Sequence, residues 1–246
     1  MKKSIGLTFL YLLCFALSGE GSLMAEVRGV DDRRPLNPQA YSIYGQAMGV
    51  IYCKNRQTGA FTASSATVVN SRRQLVGSGH FLGDDEKTGP RFTANQCVFR
   101  IYNSIQNKVF ESKISSFEIF QQIATIVLED EVPRDVMVHD PVRPLLLRAD
   151  ERFLKKGIEL IAHHEDLDAK TTYTSGECEL MPSLQRGAPF FSHLCDENGG
   201  ASGGAFILVL GNQVSIVGVD VGEYSSVNFG QFLDEQSVRS LIENRP

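Results

Sequence analysis

The residues best suited to chemistry are a serine in a glycine-rich run and a histidine far upstream of it. Ser202 lies within Cys195-Asp196-Glu197-Asn198-Gly199-Gly200-Ala201-Ser202-Gly203-Gly204-Ala205. A serine hydroxyl is a poor nucleophile at its own pKa, so it needs a nearby base and N–H donors aimed at the oxyanion that forms on attack. Glycines beside Ser202 supply unusual backbone angles and an open approach. Taken alone, the stretch reads equally well as a flexible turn. His80 follows Gly77-Ser78-Gly79, just beyond the apolar pair Leu75-Val76, a place at a strand end from which an imidazole can take a proton.

Strands must position both groups. Behind Ser202 come Phe206-Ile207-Leu208-Val209-Leu210, a Gly211-Asn212 turn and Val214-Ser215-Ile216-Val217-Gly218-Val219, which read as strand, tight turn, strand. Upstream, segments 47–52, 61–69, 74–76, 97–102, 109–114 and 117–128 have strand composition. In the second half, 145–147, 158–163, 171–180 and 229–233 join the pair after Ser202. Residues 26–41 are polar with no periodicity and are expected to wrap the surface as an arm, whereas 129–140, with Pro133, suits a linker. One helix is expected, 235–244, capped by Asp234 and presenting Val238, Leu241 and Ile242 on one face. Many short strands and one terminal helix imply an all-β barrel architecture.

The N-terminus, Met1-Lys2-Lys3 followed by the apolar run from Ile5 to Leu17 and the small polar Ser18-Gly19-Glu20-Gly21-Ser22, reads as a secretory signal peptide. Cleavage fits after Ser18 or after Ala25, and the apolar run of about 13 residues is shorter than a spanning helix needs. The mature chain is therefore expected to be secreted or periplasmic, with no membrane span. The formal charge of −5 argues against a nucleic-acid partner. Of five cysteines, Cys14 leaves with the signal, and the remaining Cys53, Cys97, Cys178 and Cys195 allow three pairings. Cys53 with Cys97 and Cys178 with Cys195 is favoured, each closing a loop within one half and stabilising by about 3 to 4 kcal/mol. Four thiolates on zinc would want tighter Cys-x-x-Cys spacing.

With His80 in one half and Ser202 in the other, the chain resembles the trypsin-like serine peptidases of the chymotrypsin fold, most closely the secreted bacterial glutamyl endopeptidases of the V8 type. The likeness rests on Gly29-Val30-Asp31-Asp32-Arg33 as an N-terminal arm and on Gln74 through His80, where the family has a strand ending in Thr-Ala-Ala-His. It rests also on Cys178 through Cys195-Asp196 to Ser202, and on Val217-Gly218-Val219 with Asn228-Phe229-Gly230. The resemblance implies two six-stranded antiparallel β-barrels with a C-terminal helix: signal 1–25, arm 26–46, first barrel 47–140, second barrel and helix 141–246. It implies a monomer acting on peptide or protein substrates without metal or cofactor. Ser202 would be the nucleophile, His80 the general base, and the N–H groups of Gly200 and Ser202 the oxyanion hole. Ala201 stands where digestive enzymes carry an aspartate that pairs with a freed N-terminus, so that route of activation is excluded.

The acid member of the triad departs from the pattern. The family places an aspartate at the head of an Asp-x-Ala strand, and Gln122-Ile123-Ala124 puts Gln122 there; Glu118 or Asp130 could substitute, although alternation and distance along the strand count against both. Val221 falls where a serine commonly supports the aspartate. Asp220 falls near the specificity pocket, where it would favour Lys or Arg, unless it faces solvent from a strand end. The run His163-His164-Glu165-Asp166-Leu167-Asp168 reads as a surface loop rather than a metal site, because adjacent extended residues point to opposite faces. His193 reads as packing beside Cys195. Two further readings stay beside the peptidase: a catalytically degenerate homologue that binds a protein partner, motivated by Gln122 and Val221, and a merely structural secreted domain.

Overall fold

The computed structural model describes residues 31–56, 58–83, 91–153, 156–168, 170–183, 189–224 and 227–243. The expected signal peptide, the start of the arm and the loop at 84–89 lie outside the described residues. The arm is more ordered in kind than its composition suggests. Arg34–Pro35 (β1) pairs with a strand of the second half, and Pro38–Ile43 (α1) is a short helix whose Asn37 side chain accepts from the Ala40 N–H at 2.8 Å. Asn at the cap and Pro at the first helical position explain a helix too short for periodicity to reveal.

The first half closes into a six-stranded antiparallel barrel. Its strands are Met48–Lys54 (β2), Phe61–Val68 (β3), Gln74–Ser78 (β4), Cys97–Asn103 (β5), Lys108–Phe120 (β6) and Ile123–Leu128 (β7), in the cyclic order β2-β3-β4-β7-β6-β5. Alternation sets the register: along β5, Phe99 and Ile101 point inward while Arg100 faces out. Ile51, Leu75, Ile114 and Ile126 complete the interior. Between β4 and β5, Gly79–Leu82 forms a single turn of helix (α2). The segment after β7 packs onto the barrel, with Val132, Val136 and Met137 buried and the Arg72 guanidinium donating to the carbonyls of Met137 and His139.

The second half is built on Ile158–Ala162 (β9), Tyr173–Glu177 (β10), Phe190–His193 (β12), Ala205–Leu210 (β13), Gln213–Tyr224 (β14) and Val227–Phe232 (β15). Three short strands, β1, Arg143–Pro144 (β8) and Leu180–Pro182 (β11), extend these six into a curled nine-stranded sheet ordered β1-β10-β9-β13-β14-β15-β12-β11, with β8 beside β14. Leu160, Phe191, Phe206, Leu208, Val217 and Phe232 fill it. The disulfides join Cys53 to Cys97 across β2 and β5, and Cys178 to Cys195 beside β12.

The terminal helix, Glu235–Glu243 (α3), docks against the first barrel with its cap as expected: the Ser237 N–H donates to Asp234 Oδ1 at 2.8 Å. Of the apolar face expected, Leu241 is buried in the core and Val238 packs against it, while Ile242 is half exposed; Ser237 and Ser240 are buried beside them. The helix meets polar groups: Gln74 Nε2 donates to the Leu241 carbonyl, and Ser240 Oγ sits 2.9 Å from Thr125 Oγ1 and 2.8 Å from Glu118 Oε2.

Candidate active site

The Ser202 loop is held from both sides. Gly200 and Gly203 take left-handed φ values of +87° and +84°, which glycine adopts at little cost. Asp220 clamps the turn through its main chain, accepting from the Gly203 N–H and donating to the Gly204 carbonyl, both at 2.8 Å. From the first barrel, Ser65 donates its N–H to the Ser202 carbonyl at 2.8 Å, and Ser64 Oγ donates to the same carbonyl at 2.6 Å. Ser65 Oγ reaches the Gly200 carbonyl at 2.8 Å. A side-chain carbon on Gly203 would overlap the Ser65 carbonyl oxygen, so the two barrels touch here through backbone.

Those clamps orient two N–H groups. The Gly199 carbonyl accepts from the Glu165 N–H at 2.6 Å and the Ala201 carbonyl from the Gly204 N–H at 2.7 Å. A planar trans peptide aims its N–H opposite to its carbonyl, so the Gly200 and Ser202 N–H groups turn away from both contacts. Among the described residues neither N–H donates to an acceptor, the state an oxyanion site requires.

His80 sits on α2, immediately after the fully buried β4. Gly79 makes the bend: its N–H donates to the Gln122 carbonyl at 2.6 Å, and a side-chain carbon there would lie 2.8 Å from the Gln122 carbonyl carbon. His80 and Ser202 flank the same space above Gly222, where a side-chain carbon would lie 3.2 Å from Ser202 Oγ and 4.0 Å from His80 Nε2. The other ring nitrogen, His80 Nδ1, lies 2.6 Å from Ser78 Oγ.

Gln122, expected at the acid position, lies in the β6–β7 hairpin turn next to this corner but engages it through its main chain: its carbonyl holds Gly79, and its N–H donates to Gln231 Oε1 at 2.9 Å. Glu118 turns to Ser240 of α3 instead. Val221 is buried at an irregularity in the β14–β15 pairing. Ser78 was not singled out from the sequence; its signal was the Ser-x-His spacing, which a single helical turn converts into a contact.

Asp220 does not face solvent. It is fully buried, with Oδ1 3.1 Å from His193 Nε2, and Glu197 Oε2 lies 3.9 Å from the same nitrogen. His193 is thus more than packing beside the disulfide, although Phe191 and Phe206 also surround its ring. His163 and His164 are likewise buried, not on a surface loop, because their segment is pressed against the first barrel, where the His163 N–H donates to Ser65 Oγ at 2.9 Å. Burial lowers both imidazoles to about 4.

The arm reaches the same region. The Asp32 N–H donates to Asp196 Oδ2 at 2.9 Å, and the Asp32 carboxyl is raised by burial and by Asp196. Arg33, its side chain almost wholly covered, bridges Asp31 and Asp166. The Arg33 bond, with a hydrogen bond from Asn198, lowers Asp166 to about 2.

No protein-family model and no curated protein matches the sequence. Solved structures do match. A thermostable serine protease, AL20, from an extremophilic microorganism aligns with 81% of this chain and 98% of its own, at a TM-score of 0.59 and 14% identity. The protease Anisep from Arthrobacter nicotinovorans aligns with 81% of this chain and 93% of its own, at a TM-score of 0.59 and 12% identity. The chain therefore has the chymotrypsin-like two-barrel fold of bacterial serine proteases.

Proposed function

We propose that this protein is a secreted serine endopeptidase of the V8-like bacterial branch that works through an acyl-enzyme. The observation that carries the reading is that Ser202 Oγ and His80 Nε2 both border the space above Gly222, beside two undonated N–H groups. Ser202 attacks the peptide carbonyl, His80 Nε2 takes its proton and returns it to the leaving amine, and the Gly200 and Ser202 N–H groups receive the oxyanion. In the tautomer that leaves Nε2 free to accept, Nδ1–H donates to Ser78 Oγ. A hydroxyl fixes the ring but offers no charge to the imidazolium; in triads of this kind losing that charge lowers kcat about 10⁴-fold. A slow enzyme is expected. Asp220 directs its carboxylate to His193, so the preference for Lys or Arg anticipated from it is not carried forward.

Labelling with a fluorophosphonate probe tests the reading. The mature protein labels at Ser202 and cleaves members of a peptide library, and Ser202→Ala loses both. The second reading, a degenerate homologue that binds peptides, is favoured by the neutral group at Nδ1. It predicts no labelling, no turnover and peptide binding unaffected by Ser202→Ala.

A further inference from the structure

The N-terminal arm sends a covered cation toward the nucleophile loop. The Arg33 side chain is only 3% exposed, while its carboxylate partners, Asp31 and Asp166, are 43% and 38% exposed. It grips each of them with a two-bond fork. Arg33 Nε and Nη2 donate to the two oxygens of Asp31 at 2.9 Å each, and Nη1 and Nη2 donate to those of Asp166 at 2.9 and 2.7 Å. The Asp166 side chain in turn accepts from the side-chain amide of Asn198, in the loop that carries Ser202. Beside it, the Glu165 N–H donates to the Gly199 carbonyl at 2.6 Å. We propose that Arg33 is a positioning residue of the peptidase: by anchoring Asp166 and Glu165 it holds the peptide between Gly199 and Gly200 so that the Gly200 N–H faces the oxyanion site.

The inference rests on the peptidase reading and gives the arm a part in it. A peptide unit is planar, so the direction of the Gly199 carbonyl sets that of the Gly200 N–H. Gly200 takes a left-handed φ of +87°, and two successive glycines restrain the peptide between them weakly. Contacts from outside the loop must supply the orientation. Residues 165 and 166 make two of them, one through main chain and one through side chain. A carboxylate as exposed as Asp166 is free to turn toward water; the Arg33 fork removes that freedom, because paired N–H bonds fix direction as well as charge. A second tether runs alongside, from the Asp32 N–H to Asp196 Oδ2 at 2.9 Å. Both partners of Arg33 stay partly hydrated, so the ion pairs themselves add little to stability and the larger effect falls on turnover. Negative charge develops on the oxygen only as the transition state is approached, so a misdirected donor lowers kcat and spares KM.

Arg33→Ala in the mature protein is the test, read by kcat and KM on a peptide the parent cleaves. Hydrogen exchange is followed in parallel in peptides covering Glu165 and Ala201, whose amides are hydrogen-bonded here. Expected are a kcat about tenfold lower with KM within about twofold. Exchange should quicken at both sites while the first barrel is unchanged, and added methylguanidinium should restore part of the kcat and of the protection. Arg33→Lys keeps the charge but cannot fork two carboxylates, so it should fall between parent and alanine variant; if Arg33→Ala does not fold, the lysine variant carries the test. Parental kcat and exchange in a folded variant, a change in KM alone, or a loss that methylguanidinium leaves unrestored overturns the proposal. A parent with neither turnover nor fluorophosphonate labelling would sink the peptidase reading instead, and the exchange result would then decide by itself whether Arg33 holds the loop.

Discussion

The two barrels handle buried polarity in opposite ways. Among the described residues of 47–140, every buried polar side chain is a hydroxyl or an amide, such as Ser64, Ser65, Thr67, Gln74, Asn103 and Thr125. The second barrel buries His163, His164, His193, Asp196, Glu197 and Asp220. Neutral groups lose little on burial once hydrogen-bonded, whereas ionisable ones must be paired or neutralised. The difference reaches the site: the barrel that supplies His80 offers it the neutral hydroxyl of Ser78, and the barrel that supplies Ser202 gathers its charge behind the nucleophile loop.

The largest expected effect falls where the barrels meet. Gly203→Ala forces a left-handed φ on alanine and drives its methyl into the Ser65 carbonyl. The loop must shift and lose the Ser64 and Ser65 contacts, so a loss above about 3 kcal/mol is expected in urea denaturation, together with loss of fluorophosphonate labelling. Gly211→Ala is the control. It has φ +59° and open space around it, so only about 1 kcal/mol of backbone strain is expected. Equal costs at the two glycines would refute the close contact between the barrels.

Acid should weaken the second barrel before the first. Burial dominates the lowering of His163 and His164 to about 4, against small opposing pulls from nearby backbone and acidic groups. Because the folded value lies below the usual 6.5, the unfolded chain binds more protons between them. Stability from these two neutral rings is complete above about pH 6.5 and is lost as the pH falls toward about 4, by roughly 3 kcal/mol for each ring at most. Below that, the Asp166 contact with Arg33 is lost as the pH falls toward about 2. Denaturation midpoints at pH 7.5, 5.5 and 4.5 check this, with His163→Asn/His164→Asn expected to flatten the slope. An unchanged slope in that variant would place the acid sensitivity elsewhere.

What could be read in the sequence follows the range of each signal. The glycine loop around Ser202, the strand after it and the Asp234 cap are local patterns, and the structure has them. Both disulfides follow from pairing within each half. The exposure of His163 and His164 was misjudged because it is set by barrel-against-barrel packing. On α3, Leu241 and Val238 pack inward as their spacing implies, but the buried Ser237 and Ser240 do not follow from apolar periodicity, since Ser240 is drawn in by Thr125 and Glu118, which are polar. The partner of His80 Nδ1 depends on a bend at Gly79 that brings Ser78 under the ring, a feature that strand alignment to an Asp-x-Ala pattern passes over.

That partner gives the smallest effect and the sharpest distinction within the first barrel. Ser78→Ala removes one neutral hydrogen bond to the imidazole, worth about 1 to 1.5 kcal/mol, so labelling or kcat/KM should fall about tenfold. Gln122→Ala should change either by less than about twofold, because Gln122 meets this corner through its main chain. Ser78→Asp places a charge beside the ring; it favours the imidazolium, so the acid limb of the kcat/KM profile should move to higher pH. If Gln122→Ala costs as much as Ser78→Ala, the glutamine amide and not the serine hydroxyl orients the base. If Ser78→Asp leaves the limb in place, residue 78 does not face the titrating ring.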